Sequence, residues 1–232
     1  TWASGGTVSG ATTLASTAIA QVQNLSLGGG GTCSTAMQNA INGANSRGST
    51  VIVAAGNSNV NASNATPANC SGVVTVAATN HLGGKANYSN FGTVVDVAAP
   101  GGQTSSGTTN GVLSTLNAGT TVPGAENYAW YQGTSMATPH VAGVAALLLS
   151  SCSRTPAQVE AALRTGVRPF VQTCSGCGTG IVDANLVLNQ CGGGTTPPPT
   201  GFFQNLTDFQ IRDNTTVESP ISVTGRTGNA PT

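Results

Sequence analysis

Short apolar runs, each closed by glycine or proline, punctuate this chain. Val22 to Leu27 predicts a short buried strand that ends in Gly28-Gly29-Gly30-Gly31. Ala36, Met37, Ala40, Ile41 and Ala44 then fall at helical spacing, with Gly48 as the stop. Val51-Ile52-Val53-Ala54-Ala55 is an unbroken apolar run, the pattern of a parallel strand covered on both faces, and Gly56-Asn57 ends it. Val73 to Ala78 and Val94 to Ala98 predict two more strands, the second stopped by Pro100-Gly101-Gly102. The stretch from Gln103 to Gln132 has mixed polarity and several glycines, and reads as loops and short strands. A helix is predicted from Ser135 to Leu149. Thr155-Pro156-Ala157-Gln158 opens another with a capping box and proline at the first helical position, and Val159, Ala162 and Leu163 give it an apolar face.

Strands alternating with helices, the strands apolar throughout, predict an α/β domain with a mostly parallel sheet flanked by helices. Ligands of such sheets bind at the carboxyl ends of the strands. Three ends carry notable residues: Ser26-Leu27-Gly28, Gly56-Asn57 and the turn at Ser135. The pattern changes after Cys191, so the α/β domain is expected over residues 1–191. Residues 192–201 are a linker by their glycine and proline content. In 202–232, Phe209-Gln210-Ile211 and Ile221-Ser222-Val223 alternate like strands, but about 30 residues cannot build a stable β domain alone. An incomplete β segment is expected there.

Charge narrows the function. Seven basic and seven acidic residues leave no net charge, which argues against a nucleic acid or an anionic membrane as partner. A surface of Ser, Thr, Asn, Gln and Gly suggests a secreted protein. No apolar run reaches the ~20 residues of a membrane helix, and no signal-peptide pattern is present. The six cysteines suit disulfides in an oxidising compartment. About fifteen pairings exist for six cysteines; the pairing adopted is Cys33–Cys70, Cys152–Cys191 and Cys174–Cys177. Cys174-Ser175-Gly176-Cys177 lacks the partners of a metal site and the flanking elements of a redox motif.

The chemistry is carried by Gly133-Thr134-Ser135-Met136-Ala137-Thr138-Pro139-His140-Val141-Ala142-Gly143. A serine between small residues, followed by the apolar run Val144 to Leu149, presents a hydroxyl on a tight turn with a buried helix behind it. A serine hydroxyl needs a base within hydrogen-bond reach to become a nucleophile. His140 lies on the same helix but on a different face, so it reads as a buried structural histidine. His81, in a glycine-rich turn, reads as solvated. The competing Gly-x-Ser-x-Gly elbow fails at Ala137, and the acid and histidine that should follow it are missing.

The run from Gly133 to Gly143 resembles the nucleophile motif of the subtilisin-like serine proteases, the subtilases. Asn24-Leu25-Ser26-Leu27-Gly28-Gly29 resembles that family's substrate-lining strand, and Val53-Ala54-Ala55-Gly56-Asn57 its oxyanion-hole segment. Tyr88-Ser89-Asn90-Phe91-Gly92 and Asp96-Val97-Ala98-Ala99-Pro100-Gly101 are also family-like. The segment from Asp208 to Thr232 is similar to the opening strands of the P domain that follows some subtilases.

The resemblance implies a secreted endopeptidase working by acyl transfer. Ser135 would attack the scissile carbonyl, and the Asn57 amide with the Ser135 backbone N–H would hold the oxyanion. Ser26-Leu27-Gly28 would pair with an extended protein or peptide substrate. Ala54, Ala55 and Gly56 would leave room for a substrate side chain. No cofactor is implied for the chemistry. A structural calcium is implied at Asp96 with the carbonyls of Ser71 and Val73, hard oxygen ligands of the kind calcium takes; an aspartate capping the next turn is the alternative. The family's Asp and His segments do not occur in this chain. The expectation is therefore a piece that lacks the N-terminal third of its catalytic domain, is inactive alone, and needs that part of the same protease as partner. A catalytically dead peptide-binding module and a serine esterase or amidase are the alternatives.

Overall fold

The computed structural model describes residues 1–15 and 18–191. The linker expected at 192–201 and the β segment expected at 202–232 lie outside them. In chain order the strands and α-helices are β1 (Val22–Leu25), β2 (Gly29–Gly30), α1 (Thr35–Ser46), β3 (Thr50–Ala54), β4 (Ala65–Thr66), β5 (Val73–Thr79), β6 (Val97–Pro100), β7 (Val112–Asn117), β8 (Glu126–Tyr131), α2 (Thr134–Ser151), α3 (Pro156–Thr165), β9 (Val167–Arg168), β10 (Ile181–Val182) and α4 (Ala184–Leu188).

A six-stranded sheet in the order β1-β3-β5-β6-β10-β9 organises the domain. All neighbours are parallel except β9, which runs antiparallel to β10. The strands are apolar without alternation because helices cover both faces. On one face Ile52, Val74, Val76 and Val97 pack with Val141, Ala145 and Leu148 of α2 and with Val159 and Leu163 of α3. On the other, Val51, Val53 and Val73 pack with Ile41 and Ala44 of α1.

Local signals close the helices. The Ser34 hydroxyl accepts from the Met37 N–H to start α1. Thr155 and Gln158 form the anticipated reciprocal box at the start of α3. All three anticipated disulfides are present: Cys33–Cys70, Cys152–Cys191 and Cys174–Cys177.

Two expectations need correction. The first strand stops at Leu25, so Ser26-Leu27-Gly28 continue beyond it without ladder bonds. The strand expected at Val94–Ala98 runs instead from Val97 to Pro100; just before it, Asp96 donates its backbone N–H to the Thr75 carbonyl and accepts the Thr75 N–H on its side chain. The stretch read as loops and short strands contains a six-pair antiparallel hairpin, β7 with β8, whose bounds no pattern had marked. Its Leu113, Leu116, Tyr128 and Tyr131 are exposed, so neither face carries the burial that makes a period legible. Among the described residues no single helix is long and apolar enough to cross a membrane.

Candidate active site

Ser135 is the second residue of α2, and Gly133 precedes the helix at φ +153°, a conformation that favours glycine. Thr134, fully buried between them, decides the geometry of Asn57. Its N–H and its hydroxyl both donate to Asn57 Oδ1 at 2.8 Å, and its hydroxyl accepts from the Gly56 N–H at 3.2 Å. With Oδ1 fixed by these two donors, the amide nitrogen must point the other way. A substituent built on Gly133 would stand 3.5 Å from Asn57 Nδ2 and 3.6 Å from both the Ser135 nitrogen and Met136 Sδ. The space left by the missing side chain is thus flanked by two N–H donors, one of them at the positive end of an 18-residue helix.

Ser135 and Ser26 are tied reciprocally. Ser135 Oγ donates to the Ser26 carbonyl at 3.2 Å, and Ser26 Oγ donates to the Ser135 carbonyl at 2.8 Å. The second bond exists because of Pro139. A residue four positions on would ordinarily donate its N–H to the Ser135 carbonyl; proline has none, which frees that carbonyl for Ser26. The proline in the motif therefore connects the nucleophile's helix to the segment leaving β1. Leu27 is exposed there, and Gly28 comes so close to the Thr66 carbonyl that a side chain would stand 2.9 Å from it.

Ala54 ends β3, and Ala55 and Gly56 lead from it to Asn57. Ala54 and Ala55 are buried in the core. At Gly56, φ +104°, a side chain would collide with Asn90 Nδ2. Asn90 is itself buried and fills the gap on that side.

The described histidines stand apart from Ser135. His140, expected to be buried, is exposed; its ring Nδ1 lies 2.8 Å from the Met136 carbonyl of its own helix. The face of α2 bearing Pro139 and His140 has no described residue packed over it. His81, expected to be solvated, is half-buried with Nδ1 buried and unpartnered, since its turn folds against Val171 and Gln172. Of the described acids, Asp183 caps α4 and pairs with Arg168, Glu160 lies 3.6 Å from Arg164, and Glu126 opens the exposed strand β8.

Asp96 does not offer a calcium site. Its Oδ2 accepts from the Thr75 N–H at 2.7 Å, and its Oδ1 from Arg164 Nη1 at 2.8 Å. The Ser71 carbonyl accepts from the Gln38 side chain. A cation at Asp96 would have to displace a guanidinium, so neither the implied calcium nor the turn-capping alternative matches what this carboxylate does. Burial raises its pKa to about 6, partly opposed by the Thr75 N–H and Arg164. Among the described residues no group of three or more His, Cys, Asp and Glu side chains converges as a metal site.

Tyr88 and Asn90 sit close to the oxyanion segment, as does Thr134, and none of the three had an assigned role. The Tyr88 hydroxyl donates to the carbonyls of Gly101 and Gly102, and burial pushes its pKa up to about 12, so it stays a donor. The signal in the sequence was the family-like run Tyr88-Ser89-Asn90; its purpose appears only with the contacts.

A parallel α/β sheet of subtilisin-like architecture, carrying a serine at a helix start opposite an asparagine amide, defines the class. The chain belongs to the subtilase family, whose model, "Subtilase family", matches residues 4–194. It is 57% identical over 190 residues to an extracellular protease of Xanthomonas campestris pv. campestris, covering 81% of this chain and 31% of that protein. To thermitase of Thermoactinomyces vulgaris it is 42% identical over 144 residues, covering 62% of this chain and 45% of that protein. Among solved structures, a protease from Pseudoalteromonas arctica PAMC 21717 superimposes with a TM-score of 0.79 at 50% identity, over 82% of this chain and 56% of that one. A cold-adapted subtilisin-like serine proteinase superimposes at 0.57 with 37% identity, over 70% and 54%. The chain thus spans about a third to a half of the length of these relatives.

Proposed function

We propose that this chain is the nucleophile-bearing part of a secreted serine endopeptidase. Ser135 attacks the scissile carbonyl and forms the acyl-enzyme. The developing oxyanion is received by Asn57 Nδ2 and the Ser135 N–H. The observation that carries this reading is the pair of donors 3.5 and 3.6 Å from the position a Gly133 side chain would take, with the asparagine's orientation locked by Thr134. Preorganised donors of this kind stabilise charge that appears only in the transition state. Beyond β1, Ser26-Leu27-Gly28 offer an exposed backbone segment, tied to Ser135, on which an extended peptide can lie. The extracellular relatives support secretion.

Ser135 Oγ has the Ser26 carbonyl as its partner, an acceptor that cannot relay a proton to a leaving group. The histidine base and the aspartate that orients it are therefore supplied by a preceding segment of the same protease. A fluorophosphonate probe tests both parts. The chain alone leaves Ser135 unlabelled, and the chain joined to the Asp- and His-bearing segment labels at Ser135 and not in Ser135→Ala. Efficient labelling of the isolated chain would sink the claim about the base. A labelled complete protein that cleaves esters but no peptide would make it an esterase, and one that does not label at all would make it a peptide-binding module.

A further inference from the structure

Asn57 stands on an exposed segment with little core beneath it: residues 57–60 are all exposed. Their backbone nevertheless has fixed partners, and these come from one short turn. The N–H groups of Ser58 and Val60 both donate to Asn90 Oδ1, at 3.0 and 3.1 Å, and the N–H of Asn59 donates to the Tyr88 carbonyl at 2.8 Å. On the other side of Asn57, Asn90 Nδ2 donates to the Ala55 carbonyl at 2.8 Å and the Asn90 N–H to the Gly56 carbonyl at 2.9 Å. One buried side chain thus grips the chain before and after the oxyanion asparagine. Gly56 is glycine partly to admit it.

The same turn reaches the second donor. The Tyr88 hydroxyl donates to the carbonyls of Gly101 and Gly102, at 2.9 and 2.7 Å. The Gly101 carbonyl also accepts from the Gly133 N–H at 3.0 Å, two residues before the Ser135 N–H. Between them, Ser89 anchors the turn to the sheet: its buried hydroxyl accepts from the Ala78 N–H and donates to the Asn90 carbonyl.

We infer that Tyr88-Ser89-Asn90 is the positioning element of the oxyanion site, Asn90 acting through Asn57 and Tyr88 acting through Gly101 and Gly133 on the Ser135 N–H. The inference rests on the proposed hydrolase reading. None of these side chains touches the reacting atoms. They set where the two donors stand, and a displacement of about 1 Å in such a site costs about a hundredfold in rate.

A double-mutant cycle on the complete protease tests this, with kcat expressed per fluorophosphonate-titrated site so that misfolded protein drops out. Asn90→Ala should lower kcat by about tenfold or more with KM within about twofold, because the donors act on the transition state. In an Asn57→Ala background, where the donor is already gone, the same substitution should change kcat by less than about twofold. Tyr88→Phe, which keeps the ring, should lower kcat by similar factors in both backgrounds, because it serves the other donor. An Asn90→Ala effect that persists in full without Asn57 overturns the inference, and so does a Tyr88→Phe enzyme with unchanged kcat. If Asn90→Ala yields no titratable site, the Tyr88→Phe arm decides alone. An unmutated complete protein that forms no acyl-enzyme overturns the hydrolase reading and this inference with it; an active enzyme with an additive cycle overturns this inference only.

Discussion

Ser26 shows how much a single hydroxyl does here. Its Oγ reaches the Ser135 carbonyl only because Pro139 withholds the N–H that a regular helix would place there. Removing the hydroxyl leaves that carbonyl without a partner and frees the segment after β1 from the nucleophile's helix. Ser26→Ala in the complete protease should lower kcat/KM on extended peptides by up to about tenfold, the ~0.5–1.5 kcal/mol of one neutral hydrogen bond. Adding Pro139→Ala restores an N–H for the Ser135 carbonyl but not the tether. The double variant should therefore regain thermal stability while kcat/KM stays low. If kcat/KM recovered together with stability, Ser26 would be a helix-satisfying residue and nothing more. Ser26 and Pro139 were each legible in their own motif, but their relation was not, since it joins segments more than a hundred residues apart.

At the scale of elements, Asp96 joins β5 to α3 through the Thr75 N–H and Arg164. Burial raises its folded pKa to about 6, above the ~3.9 of an unfolded aspartate. The folded state thus holds this proton more tightly than the unfolded state. Its contribution to stability is complete below pH ~3.9 and is lost as pH rises through about 6, by at most about 3 kcal/mol. Unfolding by denaturant should show that falling slope between about pH 4 and 6, and Asp96→Asn should flatten it. A slope of the opposite sign would mean that the Arg164 pair outweighs burial. The same two proteins test whether this carboxylate holds calcium: any stabilisation by calcium should be equal in both, whereas a shift confined to the native aspartate would restore a metal to it.

Across the whole molecule, what could be read in advance was what burial dictates. The central strands announced themselves because both their faces are covered, and the helices because caps and apolar faces agree. The β7–β8 hairpin could be read only as unplaced short strands, because its side chains face solvent on both sides. His140 was misplaced because an apolar helix invites burial, whereas that face of α2 is bare among the described residues. At Ala54-Ala55-Gly56 the small side chains were legible, but not their contacts with the core and Asn90, which arise from distant segments. Covalent closure adds a term that no strand or helix pattern carries. Cys33–Cys70 closes a loop with a sequence separation of 37 that contains β3 and Asn57, while Cys174–Cys177 spans a separation of 3. Chain-entropy reasoning gives the first about 4 kcal/mol and the second about half that. Replacing Cys33 and Cys70 with serine should therefore lower Tm by roughly 10 °C or more, at ~2–4 °C per kcal/mol for a domain of this size. The Cys174 and Cys177 pair, replaced in the same way, should cost clearly less. Equal losses would show that the short bridge acts on the folded state, where Gly176 packs against Gly92 two residues from Asn90. A fall in kcat in the second variant would then trace that effect to the oxyanion segment.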